Sequence, residues 1–133
     1  MKKILLAYDG GEPAKRALEQ TIELAKGLQA EVGVISVVPV RSGHTAIDPW
    51  DDRTVHAEEL LEARRALREA GIEAEMLEPG GDIARTIERV ADERGYDTIV
   101  VGTRGARSLA RTLQGSVSEH VASHAHVTVV VAR

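Results

Sequence analysis

The sequence predicts a single α/β domain with a five-stranded parallel sheet and helices on both faces. Short runs rich in Val, Ile and Leu alternate along the chain with stretches whose apolar residues recur at helical spacing. This alternation is typical of parallel sheets, because each return to the sheet needs a crossover. Hydrophobic residues make up 43% of the 133 residues, which is enough for a packed core.

The first half of the chain supplies two strands, a helix and a long loop. The continuous apolar run from Ile4 to Tyr8 predicts a strand buried on both faces. Pro13 suits the first turn of the helix that follows. A second strand is predicted from Val32 to Val38, and residues 40–52, which lack periodicity, are predicted to form a loop. The buried stripe of the first helix is predicted to comprise Ala14, Ala17, Leu18, Thr21, Ala25 and Leu28.

The second half continues the same alternation. Gly71 and Gly95 are predicted to end two helices, and Asp82 is predicted to cap the start of the second of these. The predicted helices are Thr54 to Ala70, Asp82 to Gly95 and Ser116 to Ser123, and the predicted strands are Glu73 to Glu78, Thr98 to Val101 and Val127 to Ala132.

Composition and charge exclude several classes of site and disfavour two classes of partner. The chain has no cysteine, which excludes disulfides, thiolate metal sites and a cysteine nucleophile. A net charge of −4 with both signs interspersed favours neither nucleic acid nor a membrane as a partner. The apolar start is closed by Asp9, too early for a secretory signal. We therefore expect a cytoplasmic protein.

The ligand is expected at the carboxyl ends of the strands, where open parallel sheets bind. The most informative loop there carries Gly102, Gly105 and the pair Gly115-Ser116. Glycines allow a backbone to approach a ligand, and a helix predicted to begin at Ser116 would present free amides to an anion. Arg104, Arg107 and Arg111 add positive charge, so the segment predicts a polyphosphate site. The alternative is that Gly102 is a strand-end turn and Gly115-Ser116 a simple helix cap.

The spacing G-x2-G-x9-G-[ST] resembles the nucleotide-binding motif of the universal stress protein family. The segments Ile4 to Gly11, Val100 to Gly105, Gly115 to Val121 and Val129 to Val131 are similar to the family's opening strand, signature segments and closing strand, so the resemblance covers essentially the whole chain. It implies one Rossmann-like nucleotide-binding domain over residues 1–133, with strand order 3-2-1-4-5. It also implies ATP as the ligand, possibly with Mg²⁺.

The resemblance also implies roles for individual residues. Asp9 would face the ribose or metal side of the nucleotide, and the backbone around Val37 and Val38 would face adenine. Gly102 and Gly105 would line the ribose and phosphates. The full set of implied binding residues is Asp9, Gly10, Val37, Val38, Gly102, Thr103, Arg104, Gly105, Gly115, Ser116, Val117 and Ser118. Two positions depart from the family pattern: Gly11 replaces a serine, and Thr128 replaces a proline.

Other constellations have simpler interpretations. Asp9 could cap the first helix, and the partners that a receiver domain would need around it are missing. His120 and His124, four apart on the last helix, could bind a metal, but the H-E-x-x-H pattern is absent and a solvated helix face is the simpler interpretation. The P-loop pattern is also absent, so a phosphate site here is of another class.

The leading hypothesis is an ATP-binding stress or signalling protein that acts as a nucleotide-dependent switch or sensor. One alternative is a slow ATPase or a kinase that phosphorylates itself on Ser116 or Ser118. Another is a dimeric scaffold that regulates a protein partner without nucleotide. The strand from Val127 to Ala132 falls at a sheet edge and carries no proline or inward charge, so it is expected to pair with a second copy in a homodimer.

Overall fold

The computed structural model describes residues 1–39, 53–102 and 112–133. These ranges contain seven strands and four helices. In chain order they are β1 (Lys3–Ala7), α1 (Glu12–Leu28), β2 (Glu31–Ile35), β3 (Val38–Pro39), α2 (Arg53–Glu69), β4 (Ala74–Leu77), β5 (Gly80–Gly81), α3 (Ile83–Arg94), β6 (Thr98–Gly102), α4 (Thr112–His124) and β7 (Thr128–Ala132).

The main sheet has five strands in the order β4-β2-β1-β6-β7, all paired in parallel. The five predicted strands correspond to β1, β2, β4, β6 and β7, so the predicted order 3-2-1-4-5 is confirmed. Central β1 sets the register, with Leu5 opposite both Gly33 and Ile99. A second sheet consists of the two short parallel strands β3 and β5.

Two hydrophobic clusters cover the two faces of the main sheet. Ile4, Leu6 and Tyr8 point to the face covered by α1 and α2, whereas Leu5 points to the face covered by α3 and α4. Successive side chains of a strand point to opposite faces. The uninterrupted apolar run of β1 is therefore explained by a layer of helices on each side.

The predicted helix ends are largely confirmed. The Asp82 carboxylate accepts a hydrogen bond of 3.1 Å from the Arg85 amide at the start of α3, and Gly95 ends that helix in the left-handed conformation. The prediction for Leu28 is wrong. It is 51% exposed, because it is the last residue of α1 and lies beyond Ala25, the last buried residue of the stripe.

The second strand is shorter than predicted. It ends at Ile35, and the chain resumes extended pairing only at Val38. Between these points the Ser36 amide bonds to the Leu77 carbonyl at 2.9 Å, and the Val38 amide bonds to the Pro79 carbonyl at 2.8 Å. The segment therefore stays beside the end of β4 and the residues that follow it, and does not continue beside β1.

None of the helices in the described ranges is long and apolar enough to cross a membrane.

Candidate functional site

The strand order reverses between β1 and β6, and a ligand crevice is expected at the carboxyl edge there. The chain builds the sheet outward from β1 through β2 to β4, then returns to β6 and continues to β7 in the other direction. Ligands of open α/β sheets bind at the carboxyl edge beside such a reversal. The residues at this point are Asp9, two positions after the end of β1, and Gly102, the last residue of β6.

The turn after β1 is fixed by the Asp9 side chain. Its Oδ1 accepts a hydrogen bond of 2.9 Å from the amide of Gly11, the residue that caps the start of α1. Gly10 between them has φ +78°, a conformation that favours glycine. This contact is an Asx turn that precedes the helix, and the N-cap residue of α1 is Gly11, which makes no side-chain capping hydrogen bond, so the prediction that Asp9 caps the helix is wrong. The Asx turn also holds the carboxylate at the positive end of α1.

The end of β6 lies directly against the start of α1. A Cβ at Gly102 would be 2.8 Å from the Pro13 Cβ and still closer to the Pro13 carbonyl carbon and oxygen. Only a residue without a Cβ fits this approach. Gly102 is therefore more than a strand-end turn, because it brings the two sides of the crevice into contact.

The segment after β2 is the third part of the candidate site, beside the turn after β1 and the end of β6. Val37 and Val38 are both buried, as expected of residues close to the core. The Val38 amide already donates to Pro79, at 2.8 Å. A hydrogen bond from this segment to an adenine base must therefore come from a group other than that amide.

Polar side chains on α2 connect the turn after β1 with the segment after β2. The Ser36 hydroxyl lies 2.6 Å from His56 Nδ1 and 3.4 Å from a Glu59 carboxylate oxygen. The same Glu59 packs against the first turn, since its Cγ lies 3.2 Å from the position that a Cβ on Gly10 would take. Sequence analysis did not identify Ser36 or Glu59. The spacing of His56 and Glu59, which places both on one face of α2, was the available signal.

Several carboxylates lie around Tyr8, next to the turn after β1. The hydroxyl of buried Tyr8 donates to Glu62, and burial together with that carboxylate raises the Tyr8 pKa well above its usual value. Asp9 and Glu59 add further negative charge around Tyr8. Carboxylates accept hydrogen bonds from ribose hydroxyls or bind a hard cation, but they repel phosphate. Within the described ranges no group of three acidic or histidine side chains is arranged to hold a metal ion.

The fourth helix begins earlier than predicted. It starts at Thr112, so Gly115 and Ser116 lie inside the helix and not at its first residue. In an α-helix the amide of Ser116 faces the carbonyl of Thr112, and the amides left free belong to the first turn. The expectation of free amides at Gly115 and Ser116 is therefore wrong. A phosphate at this helix would meet the amides that precede Gly115.

Of the other residues predicted between Gly102 and Ser118 to bind nucleotide, some lie within the described residues and some outside them. Val117 is half-buried and packs against the cluster beneath α3 and α4, and Ser118 is buried. Burial of Ser118 argues against its hydroxyl as an acceptor of phosphoryl groups. The predicted contacts of Thr103, Arg104 and Gly105 lie outside the described residues. We also expect nucleotide to order the segment from Arg104 to Gln114, of which the part up to Arg111 lies outside the described residues.

Comparison with known proteins identifies what this arrangement resembles. A sequence model of the universal stress protein family matches residues 1–133. A universal stress protein of Methanocaldococcus jannaschii is 35% identical, with 99% of this chain and 82% of that protein aligned. The universal stress protein YxiE of Bacillus subtilis is 31% identical over 98% of each chain. The structure of the universal stress protein from Archaeoglobus fulgidus in complex with dAMP superposes with a TM-score of 0.74 at 26% identity, covering 100% of this chain and 98% of that one.

Proposed function

This chain belongs to the universal stress protein family, and from that premise we propose that it binds an adenine nucleotide, ATP with Mg²⁺, in the crevice between β1 and β6. The observation that carries the proposal is the direct contact of Gly102 with Pro13, which joins the Asp9 turn to the glycine-spaced segment leading into α4. The dAMP-bound relative from Archaeoglobus fulgidus supports an adenine nucleotide as the ligand class.

The charges at the crevice favour a triphosphate with a divalent cation. Asp9 and Glu59 bring negative charge near the ribose end, which suits hydroxyl donors or Mg²⁺. The opposite end is the segment with Arg104, Arg107 and Arg111, followed by the first turn of α4. Arginines and free helix amides favour phosphate oxygens. The nucleotide is therefore oriented with its phosphates toward α4. Asp9, Gly10, Val37, Val38, Gly102 and Thr103 contact it at the other end. Arg104, Gly105 and the first turn of α4, the helix that contains Gly115, Ser116, Val117 and Ser118, hold the phosphate end.

Two substitutions of Asp9 separate ligand binding from folding. Asp9→Asn keeps an oxygen for the Gly11 amide, whereas Asp9→Ala removes it, so we expect about 1 kcal/mol loss of stability in the alanine variant alone. Both variants lack the charge at the ribose and Mg²⁺ side, so both are expected to weaken ATP·Mg²⁺ binding at least tenfold. Isothermal titration calorimetry and urea denaturation measure the two effects.

A loop variant completes the test. Gly105→Val is expected to abolish the heat of ATP binding, because the family motif needs a close backbone approach at this glycine. Equal heats for the wild type, Gly105→Val and Asp9→Asn would refute the site. Titration with AMP alongside ATP measures how much the outer phosphates contribute.

For the cell we propose a cytoplasmic switch or sensor whose nucleotide occupancy is read by a second protein. We also propose that two copies pair through β7. This strand is at the edge of the sheet, and Val131 on it is 40% exposed. A groove of about 290 Å³ beside it is bounded by Arg16, Glu19 and the strand itself. An apolar edge of this kind is protected when a second copy covers it.

A charge placed on the edge tests the dimer. Val131→Lys is expected to convert a dimer into a monomer in sedimentation equilibrium, because the lysine would be desolvated in the interface. Leu61→Lys is the matched control, since Leu61 is 46% exposed on α2, away from β7. A wild type that sediments as a monomer, or a Val131→Lys variant that remains dimeric, contradicts the proposed pairing.

A further inference from the structure

One side of α2 contacts the chain just beyond the ends of two neighbouring strands. His56, Glu59 and Glu62 are spaced three apart and therefore follow one side of the helix. Glu62 accepts a hydrogen bond from the hydroxyl of Tyr8, the residue after β1. His56 Nδ1 lies 2.6 Å from the hydroxyl of Ser36, the residue after β2. This side of α2 thus meets the carboxyl edge of the sheet where the candidate site lies.

Glu59 contacts both segments that lead into the proposed nucleotide site. One carboxylate oxygen, Oε2, lies 3.4 Å from the Ser36 hydroxyl. The other oxygen, Oε1, lies 3.7 Å from the position that a Cβ on Gly10 would take, and the Glu59 Cγ lies 3.2 Å from that position. The Glu59 side chain is only 17% exposed, so it is held between these contacts. Glu59 therefore spans the distance between the segment that begins at Ser36 and the turn that contains Asp9.

The Ser36 hydroxyl joins His56 to Glu59. Both of its contacts are hydrogen bonds when Ser36 gives its single hydrogen to the carboxylate, which can only accept, and its oxygen accepts from His56 Nδ1. Ser36 is 2% exposed and His56 is 7% exposed, so water competes little for these bonds. We call Ser36, His56 and Glu59 the Ser36 cluster.

We propose that the three residues of the Ser36 cluster are positioning residues for nucleotide binding. The inference rests on the proposed nucleotide site in the crevice between β1 and β6. The cluster holds the segment after β2, on the base side, at a fixed distance from the Asp9 turn on the ribose side. A nucleotide that meets both segments already in place loses less binding free energy to ordering them. The cluster therefore acts on affinity through the backbone that it holds.

The first test removes the shared hydroxyl. Ser36→Ala adds no bulk, and we expect the affinity of the folded chain for ATP·Mg²⁺ to fall about fivefold in isothermal titration calorimetry, because the two segments must then be ordered on binding. Tyr96→Phe is the matched control. It also removes a buried hydroxyl that donates to a glutamate, Glu75, but Tyr96 precedes β6 at the opposite edge of the sheet. We expect Tyr96→Phe to change the affinity less than about twofold.

A double-mutant cycle separates positioning from charge. Glu59→Ala removes a negative charge as well as the contact with Ser36, so its own loss of affinity combines two effects. If the two side chains act as one link, the double variant with Ser36→Ala is expected to lose no more affinity than Glu59→Ala alone. Losses that add fully would show that the two residues act separately and would contradict the cluster.

A conservative variant of His56 provides a rescue. His56→Asn keeps an N–H donor near the position of Nδ1, so it is expected to bind ATP within about twofold of the wild type. His56→Leu has no donor and is expected to lose as much affinity as Ser36→Ala. Equal affinity of His56→Asn and His56→Leu would show that the donor to Ser36 has no part in binding.

Hydrogen exchange tests the cluster without nucleotide. The Gly11 amide donates to Asp9 at 2.9 Å, in the turn that Glu59 contacts at Gly10. Ser36→Ala is expected to speed exchange of the Gly11 amide at least about threefold, although Ser36 is outside that turn, because the turn opens more readily when Glu59 is less firmly held. Tyr96→Phe is expected to leave this exchange rate unchanged.

The outcomes distinguish this proposal from the nucleotide site itself. A wild type that gives no heat with ATP refutes the site as a whole. A wild type that binds ATP, with equal affinity or equal Gly11 exchange in Ser36→Ala, overturns the positioning role alone. Urea denaturation of each variant shows that the chain is folded at the temperature of the titration.

Discussion

Replacing Gly102 with alanine is expected to lower the free energy of unfolding by about 3 kcal/mol and to abolish nucleotide binding. The added Cβ would lie 2.8 Å from the Pro13 Cβ and closer still to the Pro13 carbonyl group. The obstructing atoms include backbone, so they cannot rotate out of the way as a long side chain could. Either β6 or the start of α1 must shift.

The loss of binding follows from the same displacement. The start of α1 is held by the Asp9 contact with Gly11, and Gly102 is the last residue of β6 before the glycine-spaced segment. Moving one relative to the other separates the two sides of the crevice. Urea denaturation and ATP calorimetry on the same preparation measure the two effects.

Gly27→Ala is the control for this substitution. Gly27 lies inside α1, and a Cβ there would meet no heavy atom within 4 Å among the described residues. Alanine is the better helix former, so this variant is expected to be more stable by about 0.5–1 kcal/mol with ATP binding unchanged. If Gly102→Ala unfolds at the wild-type urea concentration, the close approach to Pro13 has no energetic consequence.

The topology could be predicted from sequence because its signals are local and repeated. Each strand is a short apolar run, and each helix carries its own period and ends, as in the Asp82 cap and the Gly95 stop. The break at Ser36 could not be predicted in this way. It depends on the Leu77 and Pro79 carbonyls, which come from a distant part of the chain and accept the amides of this segment.

In the candidate site, too, the predictable residues are those with a local signal in the sequence. Asp9 and Gly102 were predictable because each lies at the end of an apolar run that marks the carboxyl edge of the sheet. The contribution of Glu59 was not, because it reaches Gly10 only through the packing of α2 across the sheet. The start of α4 was mispredicted because a local signal in the sequence was misleading. Gly115-Ser116 is a reasonable local helix start, but the helix extends through it to Thr112, although glycine inside a helix costs about 1 kcal/mol relative to alanine.

Gly33→Ala is expected to lower the free energy of unfolding by about 3 kcal/mol, as much as Gly102→Ala. A Cβ at Gly33 would lie 2.6 Å from the Tyr96 Cζ, 2.9 Å from its Cε1, and closer still to its hydroxyl oxygen. Gly33 is on β2 between β1 and β4, with Leu5 and Glu75 as its neighbours in register, so its backbone is held on both sides.

The Tyr96 side chain is held in place by burial and by contacts with Glu75 and Lys3. Its ring is 2% exposed, its hydroxyl donates to Glu75 at 3.3 Å, and the Lys3 ammonium lies 4.5 Å from the ring centroid. Burial, with the nearby Glu75 carboxylate, raises the pKa of Tyr96 to about 12, so the hydroxyl remains a donor at neutral pH. Moving the ring would break these contacts and expose apolar surface.

A double-mutant cycle assigns the cost of Gly33→Ala to this contact. In a Tyr96→Leu background the ring atoms that oppose the new methyl are gone, so Gly33→Ala is expected to cost under about 1 kcal/mol there, with a coupling energy of about 2 kcal/mol. Tyr96→Phe removes only the hydroxyl and leaves Cζ in place, so it should relieve the clash in part. If Gly33→Ala costs the same in all three backgrounds, the close packing of Tyr96 over Gly33 is not what requires glycine at this position.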